Sequence, residues 1–180
     1  MRIAVVGVGG LGGYIGGRLA QSGEDVTFLA RGQRLEALRQ NGLHVRSPDS
    51  EFRIQPVQAT DNPTEVGPVD LILFCVKTYD VETAAEPLRP LIGPDTALLP
   101  VQNGIAHIEQ LRNLLGSKVV LGGVAMISAH SPAPGVIERP GGPQRIEFGE
   151  IGGESTARCA AIAQAMVAAG IEAVISANIE

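Results

Sequence analysis

Met1-Arg2-Ile3-Ala4-Val5-Val6-Gly7-Val8-Gly9-Gly10-Leu11-Gly12 opens the chain as an apolar run that breaks into G-x-G-x-x-G. The residues that follow, Tyr14-Ile15-Gly16-Gly17-Arg18-Leu19-Ala20, repeat apolar positions at helical spacing. A strand that turns through three spaced glycines into a helix is the phosphate-binding signature of dinucleotide folds. Gly7 permits the tight turn, Gly9 lets the backbone approach a pyrophosphate, and Gly12 lets the helix pack closely on the strand. The helix N-terminus then faces the phosphates with free N–H groups and a positive dipole end. In a chain with 23 glycines the motif alone would be weak. Its place between a strand and a helix gives it weight.

The next apolar segment, Asp25-Val26-Thr27-Phe28-Leu29-Ala30, ends at Arg31-Gly32. An NAD enzyme would carry an acid there to accept from the ribose hydroxyls, and that acid would repel a 2′-phosphate. A guanidinium instead binds the phosphate with two parallel charge-assisted bonds. The sequence therefore argues for NADP(H) over NAD(H). Arg34 follows within the next turn, where it offers a second contact to that phosphate, but the better reading is a solvated arginine on a helix face.

The chain has 180 residues, 44% of them hydrophobic, enough for one α/β domain with a substantial core. A net charge of −5 with singly scattered arginines offers no basic surface for nucleic acid. No apolar run reaches the roughly 18 residues of a membrane span, and the first strand begins too early for a signal peptide, which points to the cytoplasm. Cys75 and Cys159 show no paired or metal-ligand spacing and read as reduced, buried and inert; no metal is expected. His44, His107 and His130 stand far apart and are assigned no chemistry.

Strand and helix patterns alternate along the chain, as a doubly wound, mostly parallel sheet requires. Residues 33–40 read as a short helix capped by Asn41-Gly42, and 43–46 with 51–55 as a peripheral hairpin. Residues 69–76 are nearly all apolar, the pattern of a central parallel strand covered on both faces. A helix is expected over 81–91, made irregular by Pro87 and Pro90, then a strand over 96–99 and a helix over 105–115. Residues 119–128 read as a strand or two with a glycine break, and the stretch to residue 148 as an antiparallel extension. A helix over 155–169 and a strand over 171–174 complete the pattern.

Four motifs in order, G-V-G-G-L-G, L-A-R-G, V-K-T and V-Q-N-G, make the chain resemble the ketopantoate reductases over essentially its whole length. The resemblance implies a Rossmann-like fold and an NADPH-dependent oxidoreductase that acts on a small-molecule 2-oxo acid. In that family 2-dehydropantoate is reduced to pantoate for pantothenate and coenzyme A synthesis. By the same resemblance Gly7, Val8, Gly9, Gly10, Leu11 and Gly12 surround the pyrophosphate and Arg31 holds the 2′-phosphate. Lys77 contacts the cofactor, Asn103 touches both the nicotinamide side and the substrate, and Ser128 lies near the nicotinamide. Both Lys77 and Asn103 follow expected strands at their carboxyl ends, where open α/β sheets bind ligands.

Family members continue into a helical C-terminal domain that supplies a general-acid lysine and most substrate contacts. Here residues 1–175 read as the dinucleotide-binding domain and 176–180 as the start of the inter-domain helix. Lys77 and Lys118 are the only lysines, and neither matches that donor. The 180 residues are therefore expected to bind cofactor with negligible turnover, and to expose apolar surface near Ile175 and Ile179 through which they can self-associate. Two other readings share the fold: an NADP-sensing binding module, and a hydroxy acid dehydrogenase of the 6-phosphogluconate dehydrogenase type.

Overall fold

Strand β1 (Arg2–Val6) turns through the glycines into α1 (Gly10–Gln21), and β2 (Asp25–Leu29) returns parallel to β1 in this computed structural model, which describes residues 1–102, 104 and 106–179. Helix α2 (Gly32–Asn41) ends on Gly42, whose φ of 73° brings its N–H to the Leu38 carbonyl. The hairpin β3 (Leu43–Arg46) and β4 (Glu51–Ile54) forms where the sequence places it. Next come β5 (Gln58–Thr60), α3 (Pro63–Val66), β6 (Val69–Phe74) and α4 (Val81–Ala85). The chain goes on through β7 (Ile92–Pro100), α5 (Ala106–Leu115), β8 (Gly122–Ile127), β9 (His130–Ala133) and β10 (Val136–Glu138). It closes with β11 (Gln144–Gly149), α6 (Ala157–Ala168) and β12 (Glu172–Ile175).

The central sheet is parallel throughout, in the order β5-β2-β1-β6-β7. Beyond β7, residues 119–121 add a further parallel segment: the Leu98 N–H donates to the Val119 carbonyl at 2.7 Å, and the Leu121 N–H to the Leu98 carbonyl at 2.9 Å. That segment leads into β8 of a three-stranded sheet ordered β12-β11-β8. Read outward from β5, the parallel strands follow the doubly wound order in which the sheet reverses direction between its first and fourth strands. The reversal leaves a crevice at their carboxyl ends.

Successive residues of β1 and β6 point to opposite faces, and both faces are buried. Ile3, Val5, Leu71 and Leu73 join the core on the α1 and α6 side, while Ala4, Val6, Ile72 and Phe74 pack against α4 and α5. The near-continuous apolar run of residues 69–76 has its cause here. The expected helix over 81–91 is broken up: only Val81–Ala85 is α-helical, and Glu86–Leu91 winds as a 3₁₀ turn around Pro87 and Pro90, which lack the N–H an α-helix needs.

Helix α1 is covered on two sides. Gly12 and Gly16, one turn apart, face the central sheet, and a Cβ on Gly16 would stand 2.7 Å from Phe28 Cε1 and 2.8 Å from Val5 Cγ2. Gly13 and Gly17 face a second sheet, ordered β4-β3-β10-β9, where a Cβ on Gly13 would stand 2.5 Å from Ile137 Cδ1. The extension to residue 148 is antiparallel, as expected, wherever its own strands pair. The pairs β9–β10 and β8–β11 are antiparallel, but β10 runs parallel to β3 and β11 parallel to β12. These strands divide between two sheets because one must cover the glycine stripe of α1 while the other extends the central sheet.

Toward the C-terminus, Thr156 caps α6 by accepting from the Cys159 N–H. Ile175 is 42% exposed, as expected, whereas Ile179 is half-buried over Gly122, where a Cβ would meet its Cγ2 at 2.6 Å. Among the described residues no helix is long and apolar enough to cross a membrane.

Candidate dinucleotide-binding site

At the carboxyl ends of β1, β2, β5 and β6 lies a cleft of about 570 Å³. The glycine turn contributes Gly7 and Val8, the β2–α2 junction contributes Ala30, Arg31 and Arg34, and the end of β5 contributes Asp61. Its far wall is apolar and comes from Pro63, Ala84, Pro87 and Leu88.

The three motif glycines have three different physical reasons. Gly7 has φ +91°, and a Cβ there would stand 2.8 Å from the Val76 N and 2.9 Å from the Cys75 carbonyl carbon, so the turn and the end of β6 both require it. Gly12 lies beneath the Gly7 carbonyl and 2.9 Å, measured from its would-be Cβ, from Cys75 Cβ. Gly9 has an ordinary negative φ and, among the described residues, no atom within 4 Å of a would-be Cβ. None of the described residues demands a glycine at Gly9. Gly10 is explained by the protein itself, since a Cβ there would stand 2.5 Å from the Cα of His130 in the segment that crosses the start of α1. Val8 is buried, and Leu11 packs half-buried on the core.

Arg31 occupies the cap position of α2 with extended backbone, and its side chain is exposed. Arg34 differs from its expected place on a solvated helix face: it is half-buried and lines the cleft beside Arg31. The cause is local. The first turn of α2 starts immediately at the sheet edge, so its third residue still overhangs the crevice.

Two carboxylates also line the cleft. Asp61 follows β5, whose Thr60 pairs with Leu29, so Asp61 stands level with Ala30. Asp80 comes from the 3₁₀ turn after β6. Sequence reading missed β5, α3 and β9, and with the first two it missed Asp61 and the Pro63 end of the apolar wall. A three-residue strand is too short to show alternation. The start of α3 did carry a signal in Asn62-Pro63, where the Asn62 Oδ1 accepts from the Thr64 N–H at 3.1 Å and Pro63 fills the first helical position.

Lys77 and Ser128 reach the same sheet edge without lining this cleft. Lys77 is exposed at the head of the 3₁₀ turn Thr78–Asp80. Ser128 is exposed directly after β8, next to the segment that crosses the start of α1. Asn103 lies outside the described residues. Its neighbour Gln102 is buried, and neither of its amide atoms has a hydrogen-bond partner among the described residues.

Other reactive groups are quiet. Burial pushes the thiols of both Cys75 and Cys159 above their ordinary value, so neither supplies a thiolate. Burial lowers the pKa of His107 and favours its neutral form. His44 is paired with Glu51 at 2.7 Å, and His130 lies 3.4 Å from Glu138. None of the three histidines lines the cleft. Among the described residues no group of three or more His, Cys, Asp or Glu could hold a metal.

The fold has known counterparts. The 2-dehydropantoate 2-reductase of Porphyromonas gingivalis W83 superimposes with a TM-score of 0.93 at 41% identity, over 99% of this chain and 65% of that one. An uncharacterized oxidoreductase, YkpB, of Bacillus subtilis is 37% identical over all of this chain and 59% of its own length. A ternary structure of D-mandelate dehydrogenase with NADH and anilino(oxo)acetate matches with a TM-score of 0.88 at 26% identity, over 99% of this chain and 58% of that one. The chain thus spans about six-tenths of the length of these relatives. Residues 3–153 match the family described as ketopantoate reductase PanE/ApbA, and the chain belongs to that family.

Proposed function

We propose that these residues form the NADPH-binding part of a cytoplasmic 2-oxo acid reductase, with 2-dehydropantoate as the substrate reduced to pantoate. The observation that carries the cofactor reading is the open space over Gly9. Its two partner glycines are required by contacts inside the protein, whereas over Gly9 the described residues leave open space, room that a pyrophosphate would fill. Family membership supports the substrate.

Bound NADPH supplies the hydride that reduces a carbonyl carbon. The chain's own residues bind and orient. The amides of Gly10, Leu11 and Gly12 precede the first bond of α1, which runs from the Gly13 N–H to the Gly9 carbonyl at 2.8 Å, so they remain free for a pyrophosphate. Arg31 takes the 2′-phosphate, and the apolar wall from Pro63 to Leu88 receives the adenine. Lys77 and Ser128 border the nicotinamide end. The Asn103 amide donates to the substrate carbonyl oxygen as charge develops there.

A ketone also needs a proton at that oxygen. Lys118 does not supply it: residues 119–121 run parallel to β7, which puts Lys118 at the amino-terminal edge of the sheet, opposite the cleft. Lys77 is at the correct edge but is given to the cofactor.

NADH preference is the competing reading, favoured by Asp61 standing level with Ala30 in the cleft. Calorimetric affinities for NADPH and NADH, measured side by side on the chain and on Arg31→Ala, decide between them. A preference for NADPH that collapses in the variant supports the proposal. Equal affinities, or a preference for NADH, overturn it.

A further inference from the structure

We infer that Arg34 is a second reader of the 2′-phosphate, acting together with Arg31, so that two guanidiniums from one helical turn set the preference for the phosphorylated cofactor. The inference rests on the proposal above that the cleft holds NADPH.

Arg31 and Arg34 are three residues apart, at the cap and in the first turn of α2, and such a pair shares one side of a helix. Both line the same cleft. Neither forms an ion pair or a side-chain hydrogen bond among the described residues, although Asp61 and Asp80 line that cleft too. Several other arginines are engaged: Arg158 holds Glu150 and two carbonyls, and Arg139 holds Asp49 and the Gly142 carbonyl.

The electrostatics of the turn are unfavourable for the protein alone. A helix N-terminus carries partial positive charge and disfavours cations nearby. Helix α2 has two cations there and no acidic residue in its first turn. An anion between them reverses the balance, because the guanidiniums, the free amides of the turn and the dipole then act in the same direction. A phosphate monoester carries close to two negative charges at neutral pH, which one arginine leaves half-neutralised and two arginines match. A ribose hydroxyl offers no such gain. Arg34 therefore acts on the choice between the two cofactors and not on dinucleotide binding in general.

The test uses two half-cofactors, 2′,5′-ADP and 5′-AMP, titrated calorimetrically into the wild-type chain, Arg34→Ala, Arg34→Lys and Arg31→Ala, with thermal melts to show that each is folded. In the wild type 2′,5′-ADP binds more tightly. In Arg34→Ala the ratio of the two affinities falls roughly tenfold, the loss of one charge-assisted contact. Arg34→Lys keeps the charge without the planar fork and lies between, and serves as the reading variant should the alanine fail to fold. Raising the salt concentration narrows the gap between wild type and Arg34→Ala. An unchanged ratio in Arg34→Ala and Arg34→Lys, with collapse in Arg31→Ala, overturns the inference and leaves the NADPH proposal standing. A wild type that binds 2′,5′-ADP no better than 5′-AMP overturns both.

Discussion

Gly12 lies directly beneath Gly7, so that a Cβ on Gly12 would run into the Gly7 carbonyl oxygen with Cys75 Cβ only 2.9 Å away on the other side. The obstacle is backbone on one side and a half-buried side chain on the other, and neither can swing clear. Gly12→Ala is expected to cost about 1–3 kcal/mol of stability, read as a lowered midpoint in urea. Gly9→Ala is expected to cost about 1 kcal/mol or less, since none of the described residues lies in its way and the loss is that of glycine for alanine at the cap of α1. It should nevertheless weaken dinucleotide binding tenfold or more. A Gly9→Ala chain that binds NADPH as well as the wild type would remove the pyrophosphate from this turn.

The two glycine stripes of α1 should also separate in their costs. A Cβ on Gly16 would press on Phe28 and Val5 at 2.7 and 2.8 Å, both fully buried, whereas one on Gly17 would meet Val45 and Leu43 at 3.0 and 3.1 Å. Alanine gains about 1 kcal/mol of helix propensity over glycine at either position. Gly17→Ala should come out near neutral, and Gly16→Ala destabilised by about 1–2 kcal/mol net. Equal effects in thermal melts would mean that the second sheet packs on α1 as tightly as the central one.

The same helix shows what the sequence displays and what it hides. The G-x-G-x-x-G spacing is local, so its turn, its strand and its helix could be placed from residues 1–20 alone. Gly13 and Gly17 repeat at one-turn spacing just beside Gly12 and Gly16, and that doubled stripe was the available sign that α1 is covered twice. Its meaning depends on Ile137 and Val45, distant in sequence, so the parallel pairing of β10 with β3 could not be read locally. The candidate site divides in the same way. Arg31 follows the five-residue strand β2, whose apolar and polar residues alternate, and was legible, whereas Asp61 follows a three-residue strand paired only to β2. Arg34 looked solvated because helical periodicity says nothing about which crevice a first turn overhangs.

Placement of the two lysines bears on turnover. Lys118 is at the far edge of the sheet from the cleft, and Lys77 heads the turn that borders it. Mixed with NADPH and 2-dehydropantoate, the 180 residues are expected to bind the cofactor and oxidise it negligibly, since a missing positioned acid typically costs about 10²–10⁴-fold in rate. Steady-state absorbance of NADPH measures this directly. Turnover at a rate typical of enzymes, about 10 s⁻¹, would place a proton donor within these residues and make Lys77 the first to substitute.

A pH dependence follows from the pair that anchors α6. Glu150 accepts from Arg158 through both oxygens, at 2.7 Å from Nε and 2.7 Å from Nη2, and from the Thr156 hydroxyl at 2.7 Å. Arg158 also donates to the carbonyls of Thr96 and Lys118, so this one fork ties α6 to the edge of the central sheet. The hydrogen bonds from Arg158, and after them the Thr156 hydroxyl, hold the Glu150 carboxyl below its ordinary value. A carboxylate whose pKa is lower in the folded chain stabilises it fully above the unfolded value, near 4.3, and loses that contribution as pH falls through the folded value. Glu150→Gln should therefore cost about 1–3 kcal/mol at pH 7. The difference from wild type should shrink steadily once the pH drops below about 4.3. Urea melts at pH 7, 5 and 3.5 on both chains measure it, and a difference that stays constant across that range would show that the charge of Glu150 contributes nothing and only its shape matters.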